Sequence, residues 1–382
     1  KTSLSGPLSV LINRSFAEGC FPNALKKAKT IPIFKKKEKY YVDNYRPISL
    51  LPVFGKIFEK AFCSRIVSFL SNHNALYESQ YGFRRGRSTM HAISELYLNV
   101  INAMLNNELL LATFIDFSKA FDTLEHGILL KKLPWYGIRG CALKWIQSYL
   151  SDRSMVVHNH GVESKIVPLG HYGVPQGSIL GPILYIIYAN DLPKCLRHTH
   201  SIFYADDTTL FLSGNSKCEL TEKMNTDLLN VYQWCNANSL AVNVQKTKCM
   251  LFGKSTRSQS SDEIVCTLAN QPIERVPCLK FLGIIMDEKL SWKAHIDSLS
   301  SKISSGLYAL RKVKHLVSRK GLLNLYHALI HSHLTYGCLL WGTASPSVIK
   351  SLQIAQKKAI RLVHNSRYNA HTPPLFQASK VL

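Results

Sequence analysis

Apolar positions along the chain follow two spacings, one helical and one β-type, and the switches between them mark out the elements. Leu8, Leu11, Ile12 and Phe16 recur at helical intervals near the amino terminus. Phe54, Ile57, Phe58, Ala61, Phe62, Ile66, Phe69 and Leu70 draw one broad apolar face across Val53–Leu70. Ser88 and Thr89 are placed to cap a further helix, with Met90, Ile93, Leu96, Tyr97, Ile101 and Leu105 as its expected buried stripe. Leu109–Ile115 is apolar except for Thr113, the pattern of a strand covered on both faces. Residues 128–150 read as short helices interrupted at Pro134 and Gly137, followed by β-alternation around a turn at Asn159–Gly161 and an apolar helix over Ile179–Asn190.

The second half continues in the same alternation. Ile202–Tyr204 and Thr209–Leu212 are β-type runs on either side of Asp206-Asp207, the pattern of a tight hairpin with carboxylates at its turn. Leu220, Met224, Leu228, Val231 and Cys235 mark an amphipathic helix, and "LAVNVQKTKCMLF" a strand, a Lys-bearing turn and a strand. Residues 255–261 form a Ser-rich loop, "IVCTLANQPIERV" a hairpin and "LKFLGIIMD" a strand. Beyond Trp292 three helices are expected, Ile296–Leu316, Gly321–Leu340 and Val348–Val363. No repeat and no clear linker divides the chain.

Charge narrows the partners. Lys and Arg number 47 against 24 Asp and Glu, a net of +23, which favours a polyanion over a neutral ligand. Fourteen basic residues and one acid, Asp297, lie between Lys289 and Leu382, and seven lysines with one acid, Glu38, between Pro22 and Tyr40. The 10 cysteines are scattered, none closer than Cys266 and Cys278, so zinc-knuckle spacing is absent and a reducing, intracellular setting (nucleus or cytoplasm) is expected. His327 and His331 share metal-ligand spacing, but no acid nearby completes a site. The longest apolar run, Ile179–Ala189, is short of the ~20 residues a spanning helix needs, and no membrane partner is expected.

Candidate chemistry gathers at few positions. Adjacent carboxylates repel unless a cation neutralises them, and hard oxygen donors suit Mg²⁺. Asp206-Asp207 alone would be an ordinary polar turn. Asp116, however, closes the doubly buried strand ninety residues earlier, and sheet pairing could carry it to the same place. Three carboxylates are what a pair of divalent ions requires.

In order, "YRPISLLP", "QYGFRRGRST", "FIDFSKAFDT", "GVPQGSILGPILY", "FYADDTTLF", "LAVNVQKTK" and "LKFLGI" resemble the reverse transcriptase of non-LTR (LINE-like) retrotransposons and, more distantly, that of group II introns. The tail "AIRLVHNSRYNAHTPPLF" is similar to that family's thumb. The resemblance implies an α+β right-hand polymerase fold: an extension over 1–30, fingers and palm (an antiparallel sheet packed on helices) over 31–290, and a helical thumb and tail over 291–382. It implies RNA-directed DNA synthesis from dNTPs on an RNA template and a DNA primer, with two Mg²⁺ ions, or Mn²⁺ in their place. By position, Asp116, Asp206, Asp207 and the carbonyl of Phe117 would hold metal. Lys246 would protonate the leaving pyrophosphate, and Arg84 would hold triphosphate. Phe121 would block a ribose 2′-hydroxyl, Gln176 and Gly177 would contact nucleotide and template, and Leu282-Gly283 would grip the primer end.

Two other readings compete. An RNA-templated RNA polymerase also carries an acid shortly after its first Asp, a place Asp122 could fill, but Phe121 opposes it. A catalytically inactive, nucleic-acid-binding remnant is opposed by the intact set of acids. Nothing in the chain resembles the nuclease domain or other element-encoded protein expected as a partner, so a fragment or truncated copy is expected.

Overall fold

The apolar run before Asp116 is the middle strand of the main sheet. In the computed structural model, which describes residues 2–35, 38–159, 161–253 and 264–381, it forms β3 (Leu109–Ile115). Around it lie β8 (His200–Tyr204), β9 (Asp207–Gly214), β11 (Lys248–Phe252) and β14 (Glu274–Arg275), in the order β14-β11-β3-β9-β8. All neighbours are antiparallel except β11 and β14.

Side chains alternate across a strand, and here both faces meet a core. Leu109, Leu111 and Ile115 join Leu210 and Leu212 in one apolar cluster. That cluster is covered by α2 (Val53–Asn72), α5 (Gly140–Leu150), α6 (Gly181–Ala189) and α7 (Lys217–Ala237) through Phe62, Trp145, Tyr188 and Leu228. Leu110 and Ala112 instead join Ile202, Phe211, Met250 and Phe252 in a second cluster, under α3 (Thr89–Leu105). The same cluster continues into α8 (Lys293–Val313), α9 (Arg319–Tyr326) and α12 (Pro346–Val363) through Ile296, Leu322 and Ile360. The buried face of α3 is Ala92, Ile93, Leu96, Val100 and Ala103, while Leu105 is exposed and Met90, Tyr97 and Ile101 only partly covered. The expected stripe is thus rotated, because the two alanines let the helix sit close to the sheet.

A smaller sheet precedes this one. β1 (Lys27–Phe34) pairs with β2 (Tyr45–Leu50) antiparallel and with β5 (Ser154–Asn159) parallel, and β6 (Val162–Glu163) and β7 (Val167–Pro168) extend β5. β2 has no strand signature because Pro47 interrupts it. As the edge strand it needs no N–H there, and Pro47 faces Pro32 of β1. Shorter elements complete the chain: α1 (Thr2–Glu18), β4 (Phe117–Ser118), α4 (His126–Lys132), β10 (Ala241–Val242), and the hairpin of β12 (Thr267–Leu268) and β13 (Gln271–Pro272). The Ser-rich stretch 255–261 lies outside the described residues.

Two expectations change after Cys278. "LKFLGIIMD" is a hairpin, β15 (Cys278–Phe281) and β16 (Ile284–Asp287), turning at Leu282 (φ 43°) and Gly283 (φ 95°). The helix expected over Gly321–Leu340 is broken. After α9 it loosens into a π-helical turn at His327–His331, tightens into α10 (Ser332–Thr335), and restarts as α11 (Cys338–Trp341). Gly337 adopts φ 72°, and a Cβ there would sit 2.3 Å from Ile284. The helix thus ends at an extended Tyr336 and a left-handed Gly337 that lies against Ile284 of β16. α13 (Pro373–Ser379) closes the described chain.

His295 of α8 is buried, and its Nδ1 accepts from the Ile285 N–H of β16 at 3.2 Å. Burial, then Lys302 and Lys280, push its pKa down from 6.5 to about 4. A histidine held neutral in the fold contributes stability that is complete above its unfolded value and is lost as pH falls from there through the folded value. Melting temperatures should therefore drop between pH 7 and pH 4.5 more in wild type than in His295→Asn, whose carbonyl oxygen can still accept from Ile285. Parallel pH profiles in thermal melts would contradict this.

Candidate active site

The Asp206-Asp207 turn is built from three directions. Tyr204 pairs with Asp207, so Ala205 and Asp206 alone join β8 to β9, and Ala205 takes a left-handed φ of 58°. A non-glycine residue adopts that conformation only when its surroundings hold it. Gln80 does so: it is buried, and its Oε1 accepts from the N–H groups of Gly82 (2.8 Å) and Ala205 (3.2 Å). Residues 79–81 lie along β8, with Phe203 N donating to Ser79 O (2.9 Å) and Tyr81 N to Phe203 O (2.7 Å). Gly82 then passes so near the turn that a Cβ would lie 2.4 Å from Ala205 N. "QYGF" is thus a brace for the acid-bearing turn, a role its sequence did not reveal.

Register supplies the third carboxylate. β3 and β9 pair from Leu109↔Gly214 to Ile115↔Thr208, so the next position sets Asp116 opposite Asp207. Asp116 is fixed through its backbone: its N–H donates to Thr247 Oγ1 (3.2 Å) and its carbonyl accepts from Asn243 N (2.8 Å). Phe117 is buried in β4, opposite Val242 of β10.

The acids feel one another. Crowding by protein, then the charges of Asp206 and Asp116, push Asp207 up to about 6, although its outer side is open to solvent. That exposure leaves the two neighbouring charges as the sturdier cause. Asp206 is also raised, by burial first and by Asp116, while Arg46 and Lys35 oppose the rise. These two cations, from β2 and the end of β1, act on the turn from the smaller sheet. Lys246 Nζ lies 3.3 Å from Asp116 Oδ2, a partly exposed pair. Among the described residues no group of three His, Cys, Asp or Glu side chains already forms a metal cage. The donors nevertheless suit divalent ions, being hard oxygens raised by mutual repulsion with a cation already drawn to one of them.

The other expected residues separate into groups. Phe121 packs its ring on buried Tyr185 (centroids 4.8 Å), the residue whose phenol also senses Asp206 and Asp207. Gln176 Nε2 donates to both carboxylate oxygens of Asp122 at 2.8 Å, so the acid that a competing reading assigns to a 2′-hydroxyl already has a partner. Gly177 has φ 117°, and a Cβ there would lie 2.6 Å from Ser49 O. The segment leads into α6, where buried Glu59 accepts from Ile179 N (2.6 Å) and Leu180 N (3.2 Å). Arg84 donates Nη1 to the carbonyl of Tyr77 at 2.7 Å, and burial followed by Arg87 lowers its pKa. In this structure that guanidinium ties its own loop, whereas the charges of Lys35 and Arg46 bear on Asp206. The basic run before Tyr40 and the Arg of "YRPISLLP" were the available signals for them. The Leu282–Gly283 turn is held by Tyr336, whose hydroxyl donates to Leu282 O and accepts from the Thr89 hydroxyl (3.1 Å).

Because the neighbour of Gly82 is backbone, an added methyl cannot be absorbed by a side-chain movement. Gly82→Ala should cost about 1–3 kcal/mol, whereas Gly6→Ala, with nothing within 4 Å, should cost none. Urea midpoints of the two variants decide this, and equal midpoints would remove the brace.

Residues 33–286 match the family described as "Reverse transcriptase (RNA-dependent DNA polymerase)". Over 94% of its length the chain is 30% identical to a probable RNA-directed DNA polymerase from transposon BS of Drosophila melanogaster. Over 98% it is 28% identical to the RNA-directed DNA polymerase from mobile element jockey of the same species. It spans 41% of each of those relatives. Among solved structures, apo telomerase from Candida tropicalis superposes over 95% of the chain and 63% of its own, with a TM-score of 0.51 at 14% identity, a likeness of fold. The fold is thus the right-hand polymerase fold, and the chain belongs to the reverse transcriptase (RNA-dependent DNA polymerase) family, alongside the polymerases of non-LTR retrotransposons.

Proposed function

We propose that this chain is the polymerising part of a retrotransposon reverse transcriptase, extending a DNA primer with dNTPs on an RNA template. The observation that carries the reading is the β3–β9 register, which sets Asp116 across from Asp207 beside Asp206. Membership of the family implies dependence on a divalent metal. Asp116, Asp206, Asp207 and the Phe117 carbonyl would hold the ions, with Mg²⁺ favoured by hard oxygen donors and Mn²⁺ as a substitute. Bound there, the ions would neutralise charge on the attacking and leaving oxygens.

The chain's own residues supply the rest. Lys35 and Arg46, of the fingers, place positive charge that bears on Asp206 and suit the triphosphate. Arg84 serves the same end indirectly, by bracing the loop after Tyr77. Lys246 carries the proton nearest Asp116 and suits protonation of the departing pyrophosphate. Phe121, backed by Tyr185, occupies the space a 2′-hydroxyl would need, while Gln176 and Gly177 contact base and template. Leu282-Gly283, clasped by Tyr336, supports the primer end. The basic carboxyl-terminal helices take the duplex backbone, where phosphate contacts give affinity that weakens with salt and carries little sequence information.

Mg²⁺-dependent dNTP incorporation on a primed RNA template tests the assignment. Wild type should extend the primer, and Asp206→Asn should lose activity by a factor of about 10² or more; a wild type no better than that variant would favour an inactive remnant. On the same template Phe121→Val should improve rNTP use about tenfold or more relative to dNTP. Equal acceptance of rNTPs by wild type would overturn the sugar assignment.

A further inference from the structure

Gln176 joins two layers of the molecule. Its main-chain carbonyl accepts from Ser49 N of β2 at 2.7 Å, and its side-chain amide donates to both oxygens of Asp122 at 2.8 Å. The preceding part of the loop is tied to the palm by backbone: Val174 N donates to Phe121 O (2.9 Å), Gly173 N to Leu124 O (2.7 Å), and the carbonyl of Gly173 meets His126 Nε2 (2.7 Å). Gly177 leaves no room for a side chain between loop and β2. At Gln176, then, the palm holds the loop through the Asp122 carboxylate, and the loop holds β2 through a carbonyl. Arg46, which acts on Asp206, sits in that same strand three residues before Ser49.

We propose that Asp122 is a positioning residue for nucleotide binding: its carboxylate orients the Gln176 amide and, through the Gln176 carbonyl, sets where β2 and its Arg46 stand. The inference rests on the reading of Gln176 and Arg46 as nucleotide contacts. An amide offers two N–H donors to a carboxylate, and this pairing fixes which way the amide faces, because its oxygen would be repelled. Charge-assisted bonds of this kind are among the stronger ones. Asp122 touches neither primer nor phosphate in this scheme. Its loss should therefore be felt in nucleotide affinity and in the order of β2, not in the chemical step.

Two measurements on the full chain test this. In hydrogen–deuterium exchange without substrates, Asp122→Ala should speed exchange of segments 45–50 and 174–180 while leaving Leu109–Ile115 unchanged. Asp122→Asn keeps one acceptor for the amide and should fall between Ala and wild type. In single-nucleotide extension, Asp122→Ala should raise the KM for dNTP about tenfold with kcat within about twofold, again with Asn between. Wild-type exchange in Tyr45–Leu50, or a loss confined to kcat, overturns the proposal. Should wild type incorporate no dNTP on primed RNA, the polymerase reading fails, while the exchange result still decides whether Asp122 holds β2.

Discussion

The antiparallel pairing of β3 with β9 is the constraint on which the site depends. Seven residue pairs hold it, from Leu109↔Gly214 to Ile115↔Thr208. Because side chains alternate along a strand, a slip of one residue would turn each of these strands over and exchange its two cores. Leu111 and Leu212 belong to one cluster and Ala112 and Phe211 to the other. The register is therefore paid for by burial far from the acids. Asp116 and Asp207 face each other in the register that keeps the apolar residues behind them covered, which a slip of one residue would expose to the wrong core.

Holding like charges together costs free energy, and the structure shows where that cost is met. The pKa values of Asp206 and Asp207 are both raised, so in the absence of a bound cation the turn carries unfavourable charge. The left-handed Ala205 adds strain to that, and opposing both are the Gln80 bonds to the Gly82 and Ala205 N–H groups and the packing of Phe203, Leu210 and Tyr185 in the main core. Such strain at a site supported on all sides is a pattern of preorganisation.

Besides the apolar core, single polar side chains tie the surrounding parts to this centre. Gln176 links β2 to the segment after Phe121, and Tyr336 links the helical carboxyl-terminal part to the Leu282–Gly283 turn and to Thr89 of α3. Each is a polar side chain at a junction of elements distant in sequence. Tyr336 stands where the helix breaks, between α10 and Gly337.

Much of the chain was legible from its residues. The doubly buried strand, the hairpin bearing two acids, the amphipathic helices and the order of the motifs all follow from local spacing, because strands and helices repeat their side chains at fixed intervals. The acids at 116, 206 and 207 could be singled out that way, whereas Phe121 and the 282–283 turn were named only through the resemblance to a family. What spacing could not convey was partnership. Gln80 as a brace, Arg46 and Lys35 as the cations whose charge bears on Asp206, Arg84 turned back on its own loop, and the bond from Gln176 to Asp122 all involve residues brought together by how sheets and helices stack. Nor did spacing reveal β2, whose Pro47 is tolerated only because the strand lies at an edge, or the broken helix after Tyr326, which stops where Gly337 lies against Ile284 of β16. Period is a property of neighbours in sequence; contact is a property of neighbours in space, and only the folded chain decides it.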